Sequence, residues 1–162
     1  MTPPHQRDER PAAAAFEAAT GDGPASTEPP AQRAAAVRVA FEGLRQIRRL
    51  MNTGHPDPLS APATWERNQM VRAVALTLEA AGIAPSAVDA AGQRTTTGYR
   101  VGPADQPGAV RVEWLGPAGS GATQEEPEAL RRCADALRPW GWEALEYRGA
   151  RRHRYLEVEA AI

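Results

Sequence analysis

The sequence predicts an α+β fold of two layers. An antiparallel four-stranded sheet comes from two helix–hairpin units, and an additional amphipathic helix lies on the N-terminal side. Three observations carry this expectation. Apolar residues recur at three- and four-residue steps in three stretches, the period of a helix with one buried side. In two pairs of short runs they alternate with charges across Gly-containing turns, the period of a half-buried hairpin. The helix pattern also precedes the hairpin pattern twice, as a repeated α-β-β unit would.

Residues 1–31 read as a disordered arm. They carry Pro3, Pro4, Pro11, Pro24, Pro29 and Pro30, the run Ala12–Ala15, and one large apolar residue, Phe16. So little apolar surface does not offset the entropy of ordering the segment. Over residues 32–53, Val37, Phe41, Leu44, Ile47 and Met51 make one helical stripe. Arg33, Arg38, Arg45, Arg48 and Arg49 surround it against a single Glu42, so the helix is amphipathic and basic. Asn52-Thr53-Gly54 ends it, since Asn and Gly tolerate the left-handed cap. Pro56, Pro58 and Pro62 then make residues 54–63 a linker that cannot continue the helix.

The body spans residues 64–162. Thr64 is placed as an N-cap with Glu66 in the first turn. Met70, Val71, Val74, Leu78 and Ala81 form the buried side of a second helix closed by Gly82. Tyr99 and Val101 flank Arg100, and Val110, Val112 and Trp114 alternate with Arg111 and Glu113 around Pro107-Gly108, which reads as a hairpin. A third helix opens at Glu125, Glu126, Pro127 and Glu128, buries Leu130, Cys133, Ala134 and Leu137, and stops at Pro139. In the last hairpin Leu145 and Tyr147 alternate with Glu146 and Arg148, and beyond a turn at Gly149-Ala150 Leu156, Val158 and Ala160 alternate with Glu157 and Glu159. Val71 to Leu130 and Gly82 to Gly141 both span 59 positions, which is what an α-β-β duplication with loops of unequal length gives.

Composition narrows the function classes. All 19 basic residues are Arg, a pattern that GC-rich codons produce, and the formal net charge is −1. No run of about 18 apolar residues occurs, so no membrane span is expected. The first residues lack the apolar core of a signal peptide, and one cysteine cannot build a disulfide framework, so a cytoplasmic location is expected. Cys133 falls on a buried stripe, and His5, His55 and His153 are scattered without metal-ligand spacing. The Gly116–Gly121 stretch lacks the Lys-Ser/Thr of a phosphate-binding loop. No catalytic residue, cofactor or metal is therefore expected.

Two surfaces remain as candidate sites. The first is the partner-helix face of Val37, Phe41, Leu44, Ile47 and Met51, which suits a non-enzymatic protein-interaction or adaptor module docking a protein partner or a second copy. The second is the basic turn Arg148, Arg151, Arg152, His153 and Arg154, which suits an anionic partner such as nucleic acid. Residues 31–53 and residues 130–154 each sum to +4, so a near-neutral chain still segregates positive charge. A winged helix-turn-helix is disfavoured because residues 52–63 join the first two helices through three prolines rather than a tight turn.

Overall fold

The structure is a computed structural model, described here for residues 16–161. Its main elements are α1 (Pro30–Met51), α2 (Thr64–Asn68), α3 (Met70–Ala80), β1 (Ala87–Val88), β2 (Arg94–Thr96), β3 (Gly98–Pro103), β4 (Val110–Leu115), α4 (Ala122–Leu137), β5 (Trp142–Arg148) and β6 (Arg154–Ala160). The four longer strands form one antiparallel sheet in the order β3-β4-β6-β5, and β1 pairs with β2 in a separate two-stranded sheet. The fold is the α+β architecture the periodicities predict. Each helix–hairpin unit gives one outer and one inner strand, and the inner pair is joined by Val110 opposite Val158 and Val112 opposite Leu156.

One side of the sheet carries the core. Tyr99, Val101, Val112, Trp114, Trp142, Leu156 and Val158 meet Val74, Leu78, Leu130, Cys133 and Leu137 from α3 and α4. The strand positions between them, such as Arg100, Glu113 and Leu145, point to the other side, as period two demands. Gln69, at φ −132° and ψ 50°, divides the expected second helix into α2 and α3.

Cys133 is buried as expected, and burial pushes its thiol up from 9.0 to about 12. The neutral thiol is the form the fold keeps. Its contribution to stability is therefore full below pH 9.0 and is lost as the pH rises toward about 12. Cys133 is expected to react with a thiol reagent at pH 8 at least about a hundredfold more slowly in the folded protein than in denaturant. Comparable rates measured by absorbance would place the thiol at the surface.

The disordered arm expected over residues 1–31 needs correcting from Phe16 onward; residues 1–15 lie outside the described residues. Residues 16–29 form a strap laid on the body, with Phe16 and Ala18 packed against it. The strap is held mainly by backbone groups, which an apolar-content argument overlooks. The Val101 amide donates to Thr20 O at 2.7 Å and the Val88 amide to Gly23 O at 3.0 Å. The Tyr99 hydroxyl, whose burial keeps it protonated, lies 2.8 Å from Ala19 O and 3.1 Å from Ala75 O. Asp22 accepts from Arg94 and Arg100, each at 2.8 Å. The strap thereby covers the outer edge of β3 at Val101, next to residues 84–86, which take the amide and carbonyl of Tyr99.

The linker expected at 54–63 is also clamped rather than a free spacer. Asn52 Nδ2 donates to Pro58 O at 3.0 Å and to Ala61 O at 2.7 Å. Pro58–Ser60 form a 3-10 turn between these anchors.

Candidate functional site

The partner face expected on the first helix is largely used within the chain. Every residue of α3 from Ala73 to Leu78 is buried, so α3 is enclosed on all sides and requires a cover beyond the sheet. Helix α1 supplies it: Val37 and Leu44 pack on Leu76, with Phe41, Trp65 and Ala80 around them. Phe41 meets Trp140 edge-on at 4.8 Å. Val37, Phe41 and Leu44 are therefore core residues of this chain and not an open docking face.

Arg48 continues the same stripe and is fully buried with Glu66. Its Nε and Nη2 donate to the two carboxylate oxygens of Glu66, each at 2.8 Å. Its Nη1 donates to Leu59 O at 2.7 Å and to Trp140 O at 2.8 Å. Glu66 in turn accepts the Ala63 amide at 2.8 Å. One guanidinium thus ties α1, the 58–60 turn, α2 and the end of α4 together, and each of its nitrogens has a partner. Arg in an otherwise apolar stripe is the sequence signal for such a pair.

The outer side of α1 is what remains open. Val39 is 74 % exposed, Leu50 73 %, Met51 64 % and Ile47 38 %. At about 100° per residue Val39, Gly43, Ile47 and Leu50 share one side, roughly opposite Val37 and Leu44. Ile47 of the expected face borders this second stripe, while Met51 lies in line with Leu44 and is exposed because it is the last residue of α1. Val39 and Leu50, its most exposed members, were not among the expected residues, although their spacing from Ile47 is helical. Arg38 and Arg49 flank this stripe on the Glu42 side, while the half-buried Arg45 turns toward Trp140. Glu42 pairs with Arg45 at 3.0 Å and with Arg49 at 3.5 Å.

The structure does not assemble the basic turn into one cationic surface. Arg148, Arg151 and Arg152 are exposed, and Arg151 and Arg152 adopt left-handed φ of 58° and 61°. His153 and Arg154 are engaged by carboxylates of the same chain. His153 Nε2 hydrogen-bonds Glu113 at 2.9 Å, and Nδ1 lies 2.9 Å from Glu126. Arg154 pairs with Glu146 at 3.0 Å, and its amide donates to Glu126 at 2.7 Å. Arg100 holds the remaining oxygen of Glu113 at 2.9 Å. These glutamates were not predicted, since nothing local in the sequence links 113, 126 and 153. Strand β5 also separates this turn from Trp140, beside which Arg45 and Arg48 lie, by about 20 Å of chain.

A cavity of about 500 Å³ opens beside His153, walled by Trp114, the Gly116–Gly121 loop, Gln124 and Glu126. Both imidazole nitrogens and all four oxygens of Glu113 and Glu126 have partners within the chain. Among the described residues no group of three or more His, Cys, Asp or Glu side chains is placed to hold a metal ion. No helix among them is long and apolar enough to cross a membrane.

The chain matches no protein-family model, no curated protein and no solved structure. The functional reading therefore rests on the surfaces themselves. The outer side of β5 and β6 adds one more, a groove of about 390 Å³ lined by Leu145, Tyr147, Tyr155, Arg111, Glu157 and Glu159.

Proposed function

We propose that the protein is a self-associating interaction module whose docking surface is the outer side of α1. The observation that carries this reading is that α1 is locked to the body along Val37, Leu44 and Arg48 while Val39 and Leu50 stand about three-quarters exposed. Large apolar side chains collected on a rigid helix lose little entropy when they dock, and each contributes about 1.5–3 kcal/mol when fully buried. The flanking arginines add steering and specificity at the rim.

A nucleic-acid partner at the 148–154 turn gains less support, because two of its five expected residues are spent on internal carboxylates. Sedimentation velocity over 1–200 µM tests the docking reading. The wild type is expected to associate, and Val39→Glu/Leu50→Glu to remain monomeric with an unchanged circular dichroism spectrum. A wild type that stays monomeric throughout, or a variant that associates equally well, overturns it.

A further inference from the structure

We infer that α1 docks on the outer face of β5 and β6 of a second copy, so that copies join head to tail. The inference rests on the self-association reading above and names the surface that receives the helix.

The outer sheet face is divided into two halves. On the β3–β4 half the charges are mutually satisfied: Arg100 bonds Asp22 and Glu113, and Glu113 bonds His153. On the β5–β6 half they are not. Glu143 stands directly opposite Glu159 in the register, both are exposed, and neither has an ion-pair partner among the described residues. Like charges placed directly across a strand pair repel, so this arrangement improves when a cation is brought to it. Glu157 adds a third carboxylate. The local cation, Arg111, stands opposite Glu157 in the register but lies over the Tyr155 ring at 3.9 Å and 3.6 Å from Asp105, which leaves Glu143 and Glu159 without a cation among the described residues. Beside these acids Leu145 and Tyr147 are 47 % and 43 % exposed, and Tyr147 stacks on Tyr155 at 5.8 Å.

This half-face is acidic with an apolar centre. The outer side of α1 has the opposite character, with the exposed Arg38 and Arg49 against one glutamate along the flank of Val39 and Leu50. A pair of α1 helices would set arginines against arginines, whereas α1 on the sheet sets them against Glu143, Glu157 and Glu159. A second copy of this chain is therefore the occupant that charge and apolarity select.

The topology fixes the symmetry. Helices α3 and α4 cover the inner face of the sheet and α1 lies on α3, so the helix and the open sheet face are on opposite sides of the molecule. Two surfaces that face apart cannot serve each other in a two-fold pair. They generate a ring or an open chain.

The experiment uses two variants of the full chain, each lacking one surface, in sedimentation velocity and light scattering. Val39→Glu/Leu50→Glu removes the helix surface, and Glu143→Arg/Leu145→Arg reverses the sheet surface at two exposed positions. Wild-type mass is expected to rise progressively with concentration and to fall with added salt. Each variant alone is expected to associate at least tenfold more weakly, and their mixture to stop at a 1:1 heterodimer. Should the sheet variant lose its folded spectrum, Glu159→Arg on β6 tests the same face. A folded sheet variant that associates like the wild type, while the helix variant is monomeric, overturns this inference and leaves the self-association reading standing. So does a wild-type dimer that grows no further. A monomeric wild type overturns both.

Discussion

Arg48→Met is expected to destabilise the protein by about 3–5 kcal/mol, because it strands a buried carboxylate. Glu66 is fully buried, and its carboxylate faces Arg48 through two 2.8 Å bonds. Without the guanidinium it keeps only the Ala63 amide, while Leu59 O and Trp140 O lose their donor. For a domain of this size the loss corresponds to a fall in Tm of roughly 10–15 °C. Arg48→Met/Glu66→Gln removes the stranded charge and is expected to recover part of the loss, so the two changes are non-additive. Thermal melts of the two single variants and the double variant measure this. A single-variant loss below about 1 kcal/mol would mean that Glu66 reaches water once Arg48 is gone.

That pair also explains why a helix followed by a proline-rich segment is not a tethered arm. The helical stripe Val37, Phe41, Leu44 was plain in the sequence, and so was its apolar character. What covers it was not, because a period locates a face and not its partner. The needed clue lay in α3, whose run from Ala73 to Leu78 is apolar except for Thr77 and exceeds what one side of a helix buries. The two hairpins were legible for the opposite reason: alternation over six or seven residues locates a strand, although on β5 it left the inner face open, since Leu145 and Tyr147 lie on the outer side and Trp142 and Ala144 on the inner.

The strap over residues 16–29 was illegible because its contacts run through carbonyls of Ala19, Thr20 and Gly23, which every residue carries. The His153 clasp was hidden differently. The sequence placed His153 in a run of arginines and suggested a shared positive surface. Glu113 and Glu126 reach it only because β4 pairs with β6 and α4 packs across that pair. Charge counted along the chain does not show these carboxylates, and charge opposed across strands is what brings out Glu143 facing Glu159.

Gly141→Ala is expected to cost far more than Gly82→Ala, and comparing the two isolates the reason. Both glycines have left-handed φ, 81° at Gly141 and 84° at Gly82. A Cβ at Gly82 would meet nothing within 4 Å, so alanine there pays the conformational cost alone, about 1–2 kcal/mol. A Cβ at Gly141 would lie 2.1 Å from Ser60 O and 2.9 Å from the Ser60 carbonyl carbon, which is backbone and cannot rotate away. Relief requires moving the 58–61 segment, and that segment supplies Leu59 O to Arg48 and Ala61 O to Asn52. The clash is thus coupled to the clamp that holds α1, and the cost is expected to exceed that of Gly82→Ala by about 2 kcal/mol or more. Denaturant midpoints of the two variants give this difference directly. Equal losses would show that the segment shifts freely and that α1 is held by its apolar stripe alone. A larger loss at Gly141, with weakened self-association at temperatures where the variant stays folded, would tie the rigidity of α1 to its role as a docking surface.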